Sequence, residues 1–313
     1  LALWLARALR PLLAWLRPVE GALAADSLIQ APRRTSATVA ALMLSLAMVI
    51  GFGGVARSIY NSLVDWVNTT LNPDLFVTPN AEIANRTYVM PPEVGSEIER
   101  IPGVRQVQLV RSARMPYRGT PVLLVAAEVS KLAQTVRRRP LEGDLDDMYR
   151  RTAAGEATIV SESFARLRGL RLGDVVELPT PKGLLRLPIA GITRDYSDQQ
   201  GTLLIDRSLY RQWWADDSVN VIRVYLAPGA SAEEVKRRIL ERCARGRRLF
   251  VLGNQEVRRY IFRLADQWFS MTYNQIAVAI LVAVLGIVNT LTVSITDRRR
   301  ELGILQAVGG FKR

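Results

Sequence analysis

The stretch of sequence that decides the fold is TYNQIAVAILVAVLGIVNTLTVSITDRRRELGILQAVGGFKR, residues 272–313. Its uncharged apolar run from Ile276 to Ile295 is long enough to cross the hydrocarbon core of a bilayer, about 30 Å, as a helix. Three arginines follow at 298–300, and then a short, partly apolar segment that ends at Gly309 and Gly310. The sequence therefore predicts a spanning helix that carries a short amphipathic helix at the membrane surface.

A second uncharged apolar run, Thr35–Val55, predicts another spanning helix. The alternative is a pair of buried helices in a large soluble domain, but apolar runs of this length are typical of membrane spans. Arginines precede the first run and follow the second, so the positive-inside rule places both outer flanks in the cytoplasm. We therefore expect a multi-pass protein of the inner (cytoplasmic) membrane in which residues 57–271 are extracytoplasmic.

Both predicted spans carry small residues at four-residue spacing, which lets helix backbones approach closely, and Asn289 adds a polar group expected to face protein rather than lipid. Chance in an alanine-rich sequence explains the spacing equally well. On the first interpretation, helices pack in the membrane through Ala41, Ser45, Gly286, Asn289, Thr290 and Ser294.

Helical apolar stripes extend beyond both spans. One runs through Ile59, Leu63 and Trp66, and the other through Val257, Ile261, Leu264 and Trp268, with Asn254 as the expected cap of its helix. The stripes predict that both spans continue out of the membrane as a helical stalk, over residues 57–67 and 254–271.

Between the stalk segments the pattern predicts two β–α–β units, over 68–130 and 216–253. They are separated by a strand-rich insert over 131–215. The predicted fold class is therefore an α+β membrane protein, in which two transmembrane helices with stalk extensions flank a split α/β extracytoplasmic domain carrying a β-rich insert. The predicted segments are an elbow and the end of a preceding span (1–34), a transmembrane helix (35–56), the extracytoplasmic domain (57–271), a transmembrane helix (272–296) and a cytoplasmic helix (297–313).

Composition excludes several kinds of chemistry. The 313-residue chain has no histidine and a single cysteine, Cys243, so Ser-His-Asp catalysis and most zinc sites are absent. No lysine stands in a phosphate-binding GxxxxGK[S/T] loop. The net charge of +13 is placed beside the apolar runs, which favours membrane lipid over nucleic acid as the partner. We expect no enzymatic activity, no metal and no cofactor in this chain.

The chain resembles the FtsX/MacB-like family of ABC transporter permeases. The resemblance rests on GIVNTL (286–291), DRRRELGILQAVGG (297–310), APRRTSATVAALMLSL (31–46) and, more loosely, VSESFARLRGLRLGDVVEL (160–178). It implies that a separate cytoplasmic ABC ATPase binds and hydrolyses ATP, and that this chain receives the motion through a coupling helix. The residues that match that helix are Asp297, Glu301, Leu302, Gly303, Leu305, Val308 and Gly309.

The resemblance also implies a mechanism and a second permease partner. Motion of the ATPase would tilt the second span and move the stalk, so that the extracytoplasmic domain acts on lipids, lipoproteins, peptides or similar cargo at the outer membrane face. The apolar residues Leu1–Leu5, followed by Arg7 and Arg10, resemble the exit of an earlier span. We expect the chain to be part of a longer protein, the second half of a duplicated permease, and to act beside another permease half or subunit.

A two-span membrane sensor with an extracytoplasmic ligand domain is the alternative function, because it shares this topology. A sensor typically continues after its second span into a long heptad-bearing helix. Gly309 and Gly310 end the predicted helix too early for that pattern.

Overall fold

The computed structural model describes residues 32–83, 85–135 and 139–297, together with the isolated positions 8, 11, 15, 26 and 304. The chain divides into two compact units. One consists of Leu1–Tyr60 with Ala265–Arg313, and the other is Asn61–Leu264.

Helices and strands are interspersed along the described residues. The helices are α1 (Pro32–Thr70), α2 (Glu93–Glu99), α3 (Val129–Thr135), α4 (Leu145–Ala153), α5 (Glu162–Arg168), α6 (Arg207–Trp214), α7 (Ala232–Cys243) and α8 (Asn254–Asp297). The strands are β1 (Leu75–Thr78), β2 (Val104–Tyr117), β3 (Thr120–Ala127), β4 (Thr158–Ser161), β5 (Val175–Thr180), β6 (Gly183–Thr193), β7 (Thr202–Asp206), β8 (Val221–Leu226) and β9 (Phe250–Gly253).

The first and last helices, α1 and α8, are both long and apolar enough to cross a membrane, judged by length and composition over Leu42–Thr70 and Asn254–Val288. Their large apolar side chains, such as Leu44 at 65% exposure and Leu285 at 58%, are uncovered within the chain, as lipid-facing residues would be. Within this unit the rings of Tyr60 and Phe269 meet edge to face at 6.1 Å between centroids. The predicted fold class, two apolar helices flanking a mixed α/β domain, is confirmed.

The domain between the two apolar helices is built on one mixed sheet, with strand order β5-β6-β4-β7-β3-β2-β8-β1-β9. The pairs β3–β7 and β4–β6 are parallel, and the other pairs are antiparallel. The insert therefore does not form a sheet of its own, because β7 pairs directly with β3 and continues the sheet of the split domain.

The two β–α–β units predicted at the ends of the domain pair with one another. Strands β1, β8 and β9 are adjacent, and α2 and α7 pack on them through a buried cluster that includes Ile98, Val107, Ile222 and Ile239. Ser231 caps α7 as predicted, since its hydroxyl accepts a hydrogen bond from the Glu234 N–H.

Gly95 and Cys243 both contribute to the packing of α2 and α7 on the sheet. A Cβ added to Gly95 of α2 would lie 2.5 Å from Leu109 Cδ2, so any larger residue there would require the Leu109 side chain to move. Cys243 is buried in the same cluster, and burial raises the pKa of its thiol. In this cluster Cys243 packs as a small apolar residue.

The insert contains helices that the sequence pattern did not predict. Helices α4, α5 and α6 begin at Asp144, Ser161 and Asp206, whose side chains accept hydrogen bonds from backbone N–H groups of the first turn. Each is at most nine residues long, and so short a segment shows little periodicity. The insert shares a buried core with β2 and β3 through Tyr117 and Phe164.

Strand β2 is long and ends in a tight turn. It continues to Tyr117 and returns through a two-residue turn at Arg118 and Gly119. Both turn residues have positive φ, 46° and 79°, which is the geometry that joins antiparallel strands most tightly. The sequence did not predict this turn, because Arg118 occupies a position where glycine or asparagine is usual.

Candidate functional site: the stalk junction

The ends of α1 and α8 that belong to the domain meet the sheet at one place, which we call the stalk junction (residues 66–76 and 252–262). Its core is a buried apolar cluster formed by Val67, Leu71, Phe76 and Val257. Of the residues in the predicted stripes, Val257 lies in this core and Leu63, Trp66 and Ile261 pack against it. The stripes do not stay covered along their length. Ile59 and Trp268 are 54% and 72% exposed.

Asn254 connects the two long helices to the sheet. Its side-chain amide donates to the carbonyl oxygens of Leu71 and Pro73, both at 2.7 Å, and its backbone N–H donates to the Asp74 carbonyl at 2.9 Å. The prediction that Asn254 caps α8 was wrong. Its Oδ1 accepts a hydrogen bond from the Arg258 side chain at 2.6 Å, not from a backbone N–H of the first helical turn.

Arg258 completes this connection from the next turn of α8. Besides Asn254, its guanidinium donates to Asn68 Oδ1 at 2.6 Å and to the Leu71 carbonyl at 3.3 Å. Carbonyls at the end of a helix lack intrahelical partners, and a cation is favoured there by the helix dipole. The end of α1 is thus bound by a side chain of α8.

Two carboxylates extend the junction into the sheet. Asp74 Oδ2 accepts from the backbone N–H of Leu226 at 2.8 Å, which holds the end of β8. Glu256 Oε2 accepts from the Gly253 N–H at 2.7 Å, and Lys236 of α7 donates to both Glu256 oxygens. The hydrogen bond from the Gly253 N–H lowers the pKa of Glu256. The Lys236 ammonium lowers it further, against the opposing effect of burial.

The polar groups of the stalk junction connect elements to one another. Asn254 and Arg258 bind the end of α1, Asp74 holds the end of β8, and Glu256 joins α8 to α7 through Lys236. No group of three or more His, Cys, Asp or Glu residues that could hold a metal lies in the part of the chain that the structure describes.

A second polar network lies at the base of the insert. Asp216 accepts hydrogen bonds from Ser218, Tyr210 and Arg111, the last at 3.0 Å. Burial alone would raise the pKa of Asp216, but the hydrogen bonds from Ser218 and Arg111 outweigh it and lower the pKa to about 2. Burial, opposed by Arg111, raises the pKa of Tyr210 to about 12.

The structure does not reach most of the residues predicted as sites. Glu301, Leu302, Gly303, Leu305, Val308 and Gly309 lie outside the described residues, and Asp297 is the last residue of α8. Of the predicted packing positions, Ala41, Asn289, Thr290 and Ser294 fall in α1 and α8, but their side chains are outside the described part. Ser45 is half-buried, and a Cβ on Gly286 would meet no atom within 4 Å. The roles of all these residues stay predictions.

Sequence reasoning missed Asn68, Asp74 and Arg258. The available signal was weak, because each is a common surface residue and their partners lie up to 190 residues away in the sequence. Only Asn254 stood out beforehand, as the polar residue at the start of an apolar stripe.

Comparison with known sequences reveals relatives in two parts of the chain. A sequence profile of the MacB-like periplasmic core domain matches residues 35–242, and one of the FtsX-like permease C-terminal region matches residues 275–312. The uncharacterized ABC transporter permease protein Rv0987 of Mycobacterium tuberculosis is 28% identical over 293 residues, which are 92% of this chain and 34% of that protein. The chain thus spans about a third of the length of this relative.

Solved structures similar to the chain include two extracytoplasmic domains. The periplasmic region of MacB from Actinobacillus actinomycetemcomitans aligns with a TM-score of 0.43 and 12% identity, over 60% of this chain and 91% of that one. The extracellular domain of the noncanonic ABC-type transporter YknZ from Gram-positive bacteria aligns with a TM-score of 0.41 and 14% identity, over 58% and 99% of the two chains. Because the core-domain profile alone covers more than half of the sequence, the chain belongs to the FtsX/MacB-like family of ABC transporter permeases.

Proposed function

We propose that this permease chain transmits motion from a cytoplasmic ABC ATPase to its extracytoplasmic domain. The observation that carries the proposal is the stalk junction, where Arg258 and Asn254 of α8 bind the end of α1 and the carbonyls around β1. A displacement of either helix is passed to the sheet through these hydrogen bonds. The alternative of a two-span sensor is not favoured, since the chain belongs to a permease family.

The inner end of the path would be the segment that follows α8. Helix α8 is continuous from Asn254 to Asp297, so the residues that resemble a coupling helix begin where it ends. In the proposal, Leu302, Leu305 and Val308 contact the ATPase through apolar side chains, and Glu301 pairs with a basic residue of that subunit. ATP would be bound by the ATPase, and another permease half would supply the remaining spans.

The outer end of the path would act on cargo. The proposal places residues 57–271 outside the cytoplasm and the two outer flanks inside it, in a multi-pass protein. Export or extraction of lipids, lipoproteins or peptides at the outer face of the membrane is the function we infer.

Substitution of the coupling segment tests the inner contact. We expect Leu305→Asp to weaken association with the ATPase, or to uncouple its hydrolysis from transport, because a charge in an apolar contact loses its solvation. Co-purification and ATPase assays of the full-length protein in lipid nanodiscs measure both effects. The matched control is Leu167→Asp, since Leu167 is 59% exposed on α5. Wild-type binding and transport in Leu305→Asp would contradict the docking role.

Cysteine labelling tests the topology. Gln199 is exposed in the domain, so Gln199→Cys should react with an impermeant thiol reagent added outside the cell, while Gln306→Cys should not. The background is a Cys243→Ala chain, because the native thiol is buried and packs among apolar residues. The opposite labelling pattern would overturn the proposed orientation.

A further inference from the structure

A cavity of 360 Å³ lies inside the domain, between one face of the sheet and the domain segments of α1 and α8. Strands β2, β3 and β7 form its floor through Val110, Leu123, Val125 and Leu204. This volume is within the range of small-molecule binding sites, about 300–1,000 Å³. The wall is mainly aliphatic, so it favours an apolar occupant.

Three buried polar atoms of the cavity wall have no hydrogen-bond partner among the described residues: Trp66 Nε1, Thr70 Oγ1 and Thr202 Oγ1. Thr70 is only 7% exposed and Thr202 only 3%. Buried polar groups in folded proteins are almost always paired. Each of these three groups can donate a hydrogen bond, so the occupant that satisfies them carries acceptor oxygens.

A second, more polar cavity of 370 Å³ adjoins the first, because Trp66, Thr70 and Tyr196 line both. Arg139 and Arg194 also line it, together with Asp65. Two guanidinium groups against one carboxylate leave an excess of positive charge.

The charged groups that line the first, more apolar cavity also leave an excess of positive charge. Arg86 and Arg223 line it with Asp195. Arg86 donates to the Ser197 carbonyl at 3.4 Å and Arg223 to Gln108 Oε1 at 3.2 Å. Both cavities therefore favour an anion over a cation.

We propose that the two cavities together bind a single-chain amphiphile, with its apolar chain against the sheet and its anionic head, a carboxylate or phosphate, at Arg139 and Arg194. The head or its ester oxygen accepts hydrogen bonds from Trp66 and Thr70 where the cavities meet. This inference goes beyond the proposed function, because binding requires neither the ATPase nor transport.

Photo-crosslinking of the full chain in lipid nanodiscs tests the site. The probe is dodecanoate with a diazirine in its chain, and the adducts are mapped by mass spectrometry of peptides. We expect adducts on peptides from β3 and β7. Dodecanoate or dodecyl phosphate should suppress them, whichever head is preferred, while dodecyltrimethylammonium should not. Equal suppression by the cationic competitor, or adducts confined to the apolar segments of α1 and α8, would overturn the proposal.

Two variants separate the head site from the chain site. Arg194→Gln should raise the dissociation constant of the probe about tenfold, the effect expected from loss of a charged hydrogen-bond donor. Leu204→Trp should abolish labelling of β3 by filling the first, more apolar cavity. The matched control Arg186→Gln changes an arginine that is 69% exposed and paired with Glu177 on the β5–β6 hairpin, so binding should not change. The competition arms use the unaltered chain and stay decisive if Leu204→Trp fails to fold.

Discussion

The two faces of the sheet differ in how they are covered, although the same strands form both. Val107 and Leu109 of β2 pack against the α2–α7 cluster, whereas Val110 and Ser112 point to the cavity. On the face covered by α2 and α7, which we call the helix-covered face, the core is closed. On the other face, which we call the cavity face, α3 and α4 cover part of the sheet through a second buried cluster, and the stalk junction and a cavity with unpaired polar groups lie beside it. The two faces therefore differ in packing: one is close-packed against helices, and the other leaves space between the sheet and the domain segments of α1 and α8.

The largest expected effect is on the helix-covered face. Ile239 of α7 is fully buried in its cluster, so Ile239→Ala should lower the free energy of local unfolding by about 2–5 kcal/mol, through lost burial and the void left behind. Hydrogen exchange of the β8 amides in the full chain measures this loss. The exposed Leu167→Ala serves as the control. A loss under about 1 kcal/mol would show that this face is not close-packed.

A smaller effect is expected at the stalk junction. Arg258→Ala removes hydrogen bonds to Asn68, Asn254 and the Leu71 carbonyl, and hydrogen bonds from a charged donor contribute about 1.5–3 kcal/mol. Amide exchange should rise at the end of α1 and the start of α8, while the α2–α7 cluster stays protected. Arg237→Ala is the control, because that arginine is 67% exposed on α7. Loss of protection across the whole sheet would contradict the separation of the two faces.

The smallest expected effect is the dependence of stability on pH that arises from the hydrogen-bonded network around Asp216. Its folded pKa of about 2 is below the ordinary value of about 3.9, so the network stabilises the fold above pH 4. This stabilisation is lost as the pH falls from about 4 towards 2, because the unfolded carboxylate takes up its proton first.

Unfolding monitored by circular dichroism at a series of acidic pH values tests this dependence of stability on pH. Asp216→Asn should be less stable than the wild-type chain at pH 7, and the difference should shrink as the pH falls through that window. The effect should be smaller than that of Arg258→Ala, because the side chain of Asp216 is 30% exposed and solvent screens its charge. A difference independent of pH would assign the role of Asp216 to packing.

Sequence patterns predicted the elements that are determined by neighbouring residues. The spans follow from uncharged apolar runs, and α7 follows from Ser231 three residues before Glu234, since both signals reside in neighbouring residues. The helices α4, α5 and α6 are too short for their apolar residues to show a helical period. The continuation of β2 to Tyr117 depended on a turn whose first residue, Arg118, is an unusual choice.

The candidate site was predictable only in outline. The stripes containing Leu63, Val257 and Ile261 predicted a stalk, and those residues do pack in its core. The polar connection through Arg258 and Asn68 joins residues 190 positions apart, and no periodicity in the sequence relates them.

The sequence by itself determined that two apolar helices flank an α/β domain, because membrane spans and amphipathic elements are set by the order of apolar and charged residues. Tertiary structure alone decided which face of the sheet is closed, that Arg258 holds the end of α1, and that Trp66, Thr70 and Thr202 share one cavity. These features depend on the three-dimensional approach of distant segments and on the space left between them.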